Sequence, residues 1–319
     1  MTSLPARPLA PPPLAPGKFR DPAVTAKGEP RATVAPGPLR TLWVNTGTLC
    51  NITCVNCYIE SSPRNDALVY PTAAEILPFI AEARAMGATQ IGFTGGEPFL
   101  NRDLPAMLRA TMEAGLEALV LTNAMKPMRN RAAPLLALLQ AHRDRLLIRV
   151  SLDHHDAALH DLERGEDSFE AAMEGLAWLA RHGFRLHVAG RAAFGAEDEA
   201  TMRAGYARLF AARGIPVDAA DPVALMLFPE MGATQDVPEI STACWGILGK
   251  RPDEMMCASS RMVVKRKGAA APAVVACTLL PYDPQFELGA TLAEAARPVA
   301  LNHPHCAKFC VLGGGACSR

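Results

Sequence analysis

Three cysteines stand within eight residues, Cys50, Cys54 and Cys57, in the stretch TLCNITCVNCYIESS. Thiols this close can hold an inorganic centre, and their spacing narrows the choice. A structural zinc site takes four ligands and a catalytic one three plus water; here a fourth ligand would have to come from a distant His or Cys. A [4Fe–4S] cube held by three thiolates leaves one iron open to a small molecule, and gaps of three and two residues let one loop wrap three corners of a cube. A chance group of buried thiols is the remaining reading.

A second set lies near the C-terminus. CASSRMVVKRKGAAAPAVVAC, Cys257 to Cys277, reads as two short strands around a glycine-containing turn with a thiol at each outer end. Pairing of the strands would bring the two thiols together. CAKFC sets Cys306 and Cys310 one helical turn apart, and GGGAC returns Cys317 on a flexible loop. That makes five candidates for four positions, with Cys257, Cys277 and Cys310 ranked ahead of Cys306 and Cys317. Cys244, beside Trp245, reads as a buried thiol.

Nine cysteines is an odd number, the N-terminus lacks the pattern of a secretion signal, and no run of about 20 apolar residues exists to cross a bilayer. The expected compartment is the cytoplasm, where clustered thiols read as metal ligands or catalytic groups rather than disulfides. Basic and acidic residues both number 32, so no charge excess argues for a nucleic acid or a membrane surface as partner.

Such residues need a scaffold to position them. The first forty residues hold ten of the 27 prolines, and residues 1–37 read as an extended, disordered tail. Then a beat repeats. Strand-like runs at Leu42–Thr46, Gln90–Thr94, Glu117–Thr122, Leu146–Ser151, Leu186–Arg191 and Val223–Leu227 alternate with helical segments. Thr72 with Glu75 forms a capping box, Ser168 reads as another N-cap, and Gly87, Gly115, Gly183 and Gly214 fall at expected helix ends. Alternating strands and helices predict a parallel α/β sheet, either open or a partial barrel, because six units are too few for an eight-stranded one. In both, function gathers at the C-terminal strand ends. There lie Cys50–Cys57, Thr94–Pro98, Thr122–Met125 and Ser151–Asp156. Residues 38–235 thus form a core domain, and 236–319 a small cysteine-rich α+β domain.

CNITCVNCY resembles the CxxxCxxC signature of the radical S-adenosylmethionine (SAM) superfamily, and GGEP at Gly95–Pro98 is similar to that family's GGE motif. The resemblance implies a partial (β/α)6 barrel of the TIM type. It also implies that Cys50, Cys54 and Cys57 hold a [4Fe–4S] cluster whose open iron takes SAM, with Gly95, Gly96 and Glu97 at the SAM amino group. Asn56 stands where many members carry an aromatic residue, which leaves Tyr58 to cover the adenine. SLDHHDAALHDLERGEDSF, Ser151 to Phe169, is similar to a stretch of members with auxiliary clusters, the SPASM and twitch group. Ser151 and Arg164 would then reach SAM, and the C-terminal cysteines would bind a second [4Fe–4S] cluster.

The implied chemistry is reductive cleavage of SAM to a 5′-deoxyadenosyl radical, which abstracts hydrogen from a peptide or small-molecule substrate. A donor such as flavodoxin or ferredoxin would supply the electron. Asp153, after the strand-end serine, is a candidate hydrogen-bonding or proton-accepting catalytic group. His154, His155, Asp156 and His160 look like a metal cluster, but successive loop side chains diverge, so they read as solvated loop residues of which one could still face substrate, and Asn123 reads as a turn residue. The contrasting reading is an iron–sulfur electron carrier or metal-binding protein without SAM chemistry, which would need neither an open iron nor an amino-group pocket. A zinc-binding C-terminal module is a further alternative.

Overall fold

The computed structural model describes residues 12–192, 197–229 and 235–315. The sequence TLWVN forms a strand in which all five residues are buried, as a strand covered on both faces must be. It is β2 (Thr41–Asn45), preceded by the short β1 (Thr33–Val34). The other barrel strands are β3 (Gln90–Thr94), β4 (Glu117–Thr122), β5 (Leu146–Ser151), β6 (Arg185–Arg191) and β7 (Leu225–Phe228). All pair in parallel in the order β2-β3-β4-β5-β6-β7. The expected parallel six-unit sheet is therefore present, with bounds shifted by one or two residues at three strands.

The connections are helical. They are α1 (Ala73–Ala85), α2 (Leu104–Glu113), the single turn α3 (Lys126–Arg129), α4 (Ala132–His142), α5 (Ala157–Arg164), α6 (Ser168–Arg181) and α7 (Glu199–Arg213). Thr72 and Glu75 make the reciprocal capping box at α1, and the four glycines past the helix ends all have positive φ. Ser168 is not an N-cap. It is the first residue of α6, preceded by Asp167 in the left-handed region, and its hydroxyl donates to Asp161 at 2.9 Å. Fully buried Ile91, Phe93, Val120, Ile148, Val150 and Val188 share one face of the sheet and form the core against the helices, while Trp43 packs on the other face over Gly92.

The C-terminal segment does not stand apart from this sheet. β8 (Ser260–Val264) lies parallel to β2, with Thr41 opposite Ser260, and β9 (Ala273–Val275) and β10 (Glu287–Gly289) continue antiparallel to make nine strands. The expected hairpin forms, but as an extension of the barrel sheet.

The first segment also departs from expectation. Residues 12–37 are no disordered tail. β1 pairs with β11 (Val299–Ala300), Ala32 and Val34 are fully buried, and Arg31 forms an ion pair at 2.5 Å with Glu239 in which both side chains are buried. Glu239 also accepts from the N–H groups of Phe19 and Ala26. Few backbone donors do not prevent folding when side chains and two short strand residues supply the partners.

Candidate active site

The loop after β2 starts rigidly. Thr46 donates through both its N–H and its hydroxyl to Thr94 O, each at 2.8 Å, and Thr48 is tied to Leu68. Cys50 N–H then donates to Ser62 O at 3.1 Å. Farther along, Val55 N–H bonds Glu163 O, and the Asn56 amide donates to both Glu163 carboxylate oxygens at 3.0 and 2.8 Å. Asn56 therefore pins the cysteine loop to α5.

Gly95 and Gly96 are needed for a reason the sequence did not show. A Cβ on Gly96 would lie 2.1 Å from Leu49 O, and one on Gly95 2.4 Å from Gly47 O. Gly96 and Glu97 donate backbone N–H bonds to Gly47 O and Leu49 O. Their close approach is to the cysteine loop, although both also line the cavity described below. Glu97 turns the other way. It is 1% exposed, does not line that cavity, and accepts from Thr122 Oγ1, Asn123 N–H and Phe99 N–H. Burial pushes its carboxyl up to about 7 against those hydrogen bonds. Its evident work is to join the ends of β3 and β4.

Cys50, Cys54, Cys57 and Tyr58 share one cavity with Gly95, Gly96, Ser151, Asp153 and Arg164, enclosing about 870 Å³ counted to its open mouth. Arg164 grips Asp153 with two bonds of 2.8 and 3.0 Å. Burial alone would raise the Asp153 carboxyl, but the Arg164 charge and hydrogen bonds hold it below its ordinary value. Asp153 is thus an ionised partner that orients Arg164, and not a group poised to take up a proton. Burial opposes the charge of Arg164, but the Asp153 carboxylate holds it above its ordinary value.

The donor set fits an iron–sulfur cluster better than zinc. Zinc with thiolates about 2.3 Å away gathers sulfurs within about 3.8 Å of one another. Among the described residues the cysteines form no group whose ligand atoms all lie within 4.8 Å. Burial pushes the Cys50 thiol up to about 12 and raises Cys54 against the pull of Arg164, so a cationic centre is what makes thiolates favourable here. Room for a second polar guest also shows: Arg191 Nη2 and Ser61 Oγ are buried, face no protein partner and belong to cavity-lining residues.

Sequence reasoning passed over Arg191, which ends β6 and pairs with Glu163 at 3.6 Å. The strand-end rule that selected Ser151 would have found it. Asn123 is both a turn residue and a cavity residue: its Oδ1 accepts from Met125 N–H, while Nδ2 donates to Asn51 and lies 3.9 Å from Cys50 Sγ. Of the expected solvated cluster, two residues are inside. His154 and His160 are fully buried, His160 Nδ1 accepts from Asp153 N–H, and Asp156 caps α5.

A second pocket gathers Cys257, Cys277, Cys306 and Cys310 among Met255, Leu279, Leu280, Val299 and Leu301. Cys306 belongs with the other three, because Cys306–Leu312 forms a π-helix that presents both of its thiols there. Cys317 lies outside the described residues. Burial pushes the Cys257 thiol up to about 11, opposed by buried Arg261. Cys244 lies apart, 3.6 Å from Ser241 Oγ.

A parallel partial barrel with three cysteines after its first barrel strand and GGE after its second defines a radical SAM fold. The Radical SAM superfamily model matches residues 44–202, and the chain belongs to that superfamily of enzymes, which work with a [4Fe–4S] cluster and SAM. Among curated relatives, the subtilosin biosynthesis protein AlbA of Bacillus subtilis is 29% identical over 44% of this chain and 30% of that protein. A GTP 3′,8-cyclase of Tolumonas auensis is 30% identical over 43% of this chain and 39% of its own. The chain thus spans less than half the length of these relatives in the match. Streptococcus suis SuiB bound to S-adenosylmethionine shares the fold with a TM-score of 0.59 at 13% identity, over 79% of this chain and 64% of SuiB. The anSMEcpe structure with bound AdoMet gives 0.55 at 13%, over 81% and 80%. Among the described residues no helix is long and apolar enough to cross a membrane.

Proposed function

We propose that this chain is a radical SAM enzyme acting on a C–H bond of a peptide or small molecule, with the cavity at the C-terminal strand ends as its active site. The observation that carries the reading is the convergence of Cys50, Cys54 and Cys57 with Arg164 and Arg191 in that one cavity. Cys50, Cys54 and Cys57 would hold the SAM-binding cluster, which when reduced supplies the electron that cleaves SAM's carbon–sulfur bond to give a 5′-deoxyadenosyl radical.

The other residues bind and orient. Arg191 Nη2 suits the carboxylate of SAM's methionine portion, by charge and by its lack of a protein partner. Arg164, fixed by Asp153, keeps a second positive charge beside Cys54. Ser151 and Tyr58 offer a hydroxyl and an aromatic face within the same walls. Gly95 and Gly96 hold the cysteine loop in place, and Glu97 is a scaffold residue rather than an amino-group ligand.

Cys257, Cys277, Cys306 and Cys310 would hold an auxiliary [4Fe–4S] cluster, a set of four thiolates that suits such a centre. Phe228 of the active-site wall packs on Phe309 of the Cys306–Leu312 helix at 5.7 Å, which joins the two regions. Flavodoxin or ferredoxin is the expected electron donor, and the cytoplasm the expected compartment. A relative's link to bacteriocin biosynthesis favours a peptide substrate, and a relative that is a GTP cyclase keeps a small molecule as the second reading. Anaerobic reconstitution followed by iron, sulfide and 5′-deoxyadenosine measurement tests the proposal; a reconstituted protein that forms no 5′-deoxyadenosine with dithionite and SAM would leave the electron-carrier reading.

A further inference from the structure

Beside the cavity, but outside its lining, lies a third group of potential ligands. His154 and His155 follow Asp153 in the loop between β5 and α5, and Glu197 stands just ahead of α7. We propose that these three residues bind a first-row divalent cation, separately from both sets of thiols.

The case is geometric. Among the described residues this is the one group of three His, Cys, Asp or Glu side chains whose ligand atoms all lie within 4.8 Å of one another. Glu197 Oε2 is 3.1 Å from His155 Nε2 and 3.9 Å from His154 Nε2. A tetrahedral ion with ligands at about 2.0–2.1 Å sets ligand atoms about 3.4 Å apart, between those two distances. The His154 tautomer is also set. His154 Nδ1 accepts from Asp156 N–H at 2.9 Å, so Nε2 is the nitrogen left to face the carboxylate.

The surroundings hold this arrangement. His154 is fully buried, and the two rings lie 4.3 Å apart between centroids. His155 reaches its place because α7 carries Gly205 there: a Cβ at that position would lie 2.2 Å from His155 Nε2. The edge of the His155 ring meets Tyr206, whose hydroxyl donates to Leu152 O. An ion pair between His155 and Glu197 accounts for one short distance. It does not account for a second, buried imidazole aimed at the same oxygen.

Two imidazoles and a carboxylate suit zinc and ferrous iron. Three protein ligands leave a position for water, and the ion would tie the loop after β5 to the segment leading into α7. Asp153, inside the active-site cavity, is the next residue to this tie, so the ion would brace the Asp153–Arg164 pair from behind. This inference does not depend on SAM chemistry, and its test reads metal rather than turnover.

The experiment uses the full chain with its iron–sulfur content reconstituted anaerobically, titrated with Co2+ and separately loaded with Zn2+ before desalting. Variants His155→Ala and Glu197→Gln are compared with the wild type, and fully buried His154 is left intact so that a failed fold does not imitate a lost site. Iron content and circular dichroism check that each variant is folded. The expected result is one cation per wild-type chain with visible cobalt d–d bands and no thiolate-to-cobalt charge transfer, and affinity weakened at least about tenfold in each variant. Absence of stoichiometric Co2+ and Zn2+ from the wild type would overturn the assignment. So would undiminished binding in both variants, or charge-transfer bands showing that cysteines hold the ion.

Discussion

Replacing Gly96 by alanine tests how the two signature segments depend on each other. The added Cβ would sit 2.1 Å from Leu49 O, 2.5 Å from Leu49 C and 2.8 Å from Thr48 O. Ordinary contact begins near 3.4 Å, and every one of these atoms is backbone, so no side-chain rotation relieves the overlap. The chain must move by roughly an ångström, and the next residue along is Cys50. Overpacking of this kind costs about 1–3 kcal/mol. The movement also stretches the bonds from Gly96 to Gly47 and from Glu97 to Leu49, each worth about 0.5–1.5 kcal/mol. Together these give a cost of about 2–6 kcal/mol, concentrated on the loop that carries all three thiols. If the loop rather than the whole fold absorbs about 3 kcal/mol, SAM affinity falls roughly 100-fold. Isothermal titration with SAM under anaerobic conditions reads that loss, and iron content reads the cluster. Gly115→Ala is the control, since a new Cβ there has nothing within 4 Å and the only strain is its positive φ; it should lower stability slightly and leave SAM affinity unchanged. Wild-type SAM affinity and iron content in Gly96→Ala would refute the reasoning.

The triple alanine variant of Cys50, Cys54 and Cys57 should lose SAM cleavage while keeping about four irons per chain at the C-terminal thiols; stoichiometric zinc in their place would make that pocket a structural clip. Arg191→Met should weaken SAM binding by about 10- to 100-fold through loss of a charge-assisted bond, with iron content unaltered. Glu239→Ala should destabilise the fold by about 3–5 kcal/mol, because it leaves Arg31 buried without its carboxylate, and a chain beginning at residue 38 should melt several degrees lower by calorimetry. His160 has its pKa lowered to about 4 from 6.5, chiefly by burial and also by Arg164. The unfolded chain therefore binds the extra proton between those values, so stability is full above pH 6.5 and drops by about 2–3 kcal/mol as pH falls towards 4. His160→Asn, which keeps an acceptor for Asp153 N–H, should flatten that part of the urea-unfolding profile.

The barrel was legible because buried parallel strands are written as short apolar runs, and each of the six runs became a strand. The cysteine and glycine signatures fixed the cavity's position for the same local reason. What escaped the sequence depended on partners far along the chain. Arg31 looked like one residue of a proline-rich tail because Glu239, 208 positions later, supplies its partner. The two histidines looked divergent because neither Glu197 nor the room afforded by Gly205 is visible from the loop itself. Glu97 read from the motif as a structural or electrostatic partner, and the structural half became concrete only through Thr122 and Asn123 on the next strand's end, which donate to its carboxylate. Cys306 and Cys310 were expected to align on one helical turn, and they do line one pocket, although the turn is a π-helix.

The pairing of β8 with β2 also acts as a ruler. Cys257 precedes β8 and Cys277 follows antiparallel β9, so both leave the hairpin near the end where β2 begins, whereas Cys50 to Cys57 lie past the end where β2 stops. Each residue of strand adds about 3.3 Å. A slip of one residue between β2 and β8 would turn every buried side chain of β8 to the opposite face, so the smallest slip that preserves the core is two residues, or about 7 Å. The distance from Cys257 and Cys277 to the cysteine loop is therefore graduated in coarse steps: a register change in the hairpin alters it by a whole two-residue step or not at all.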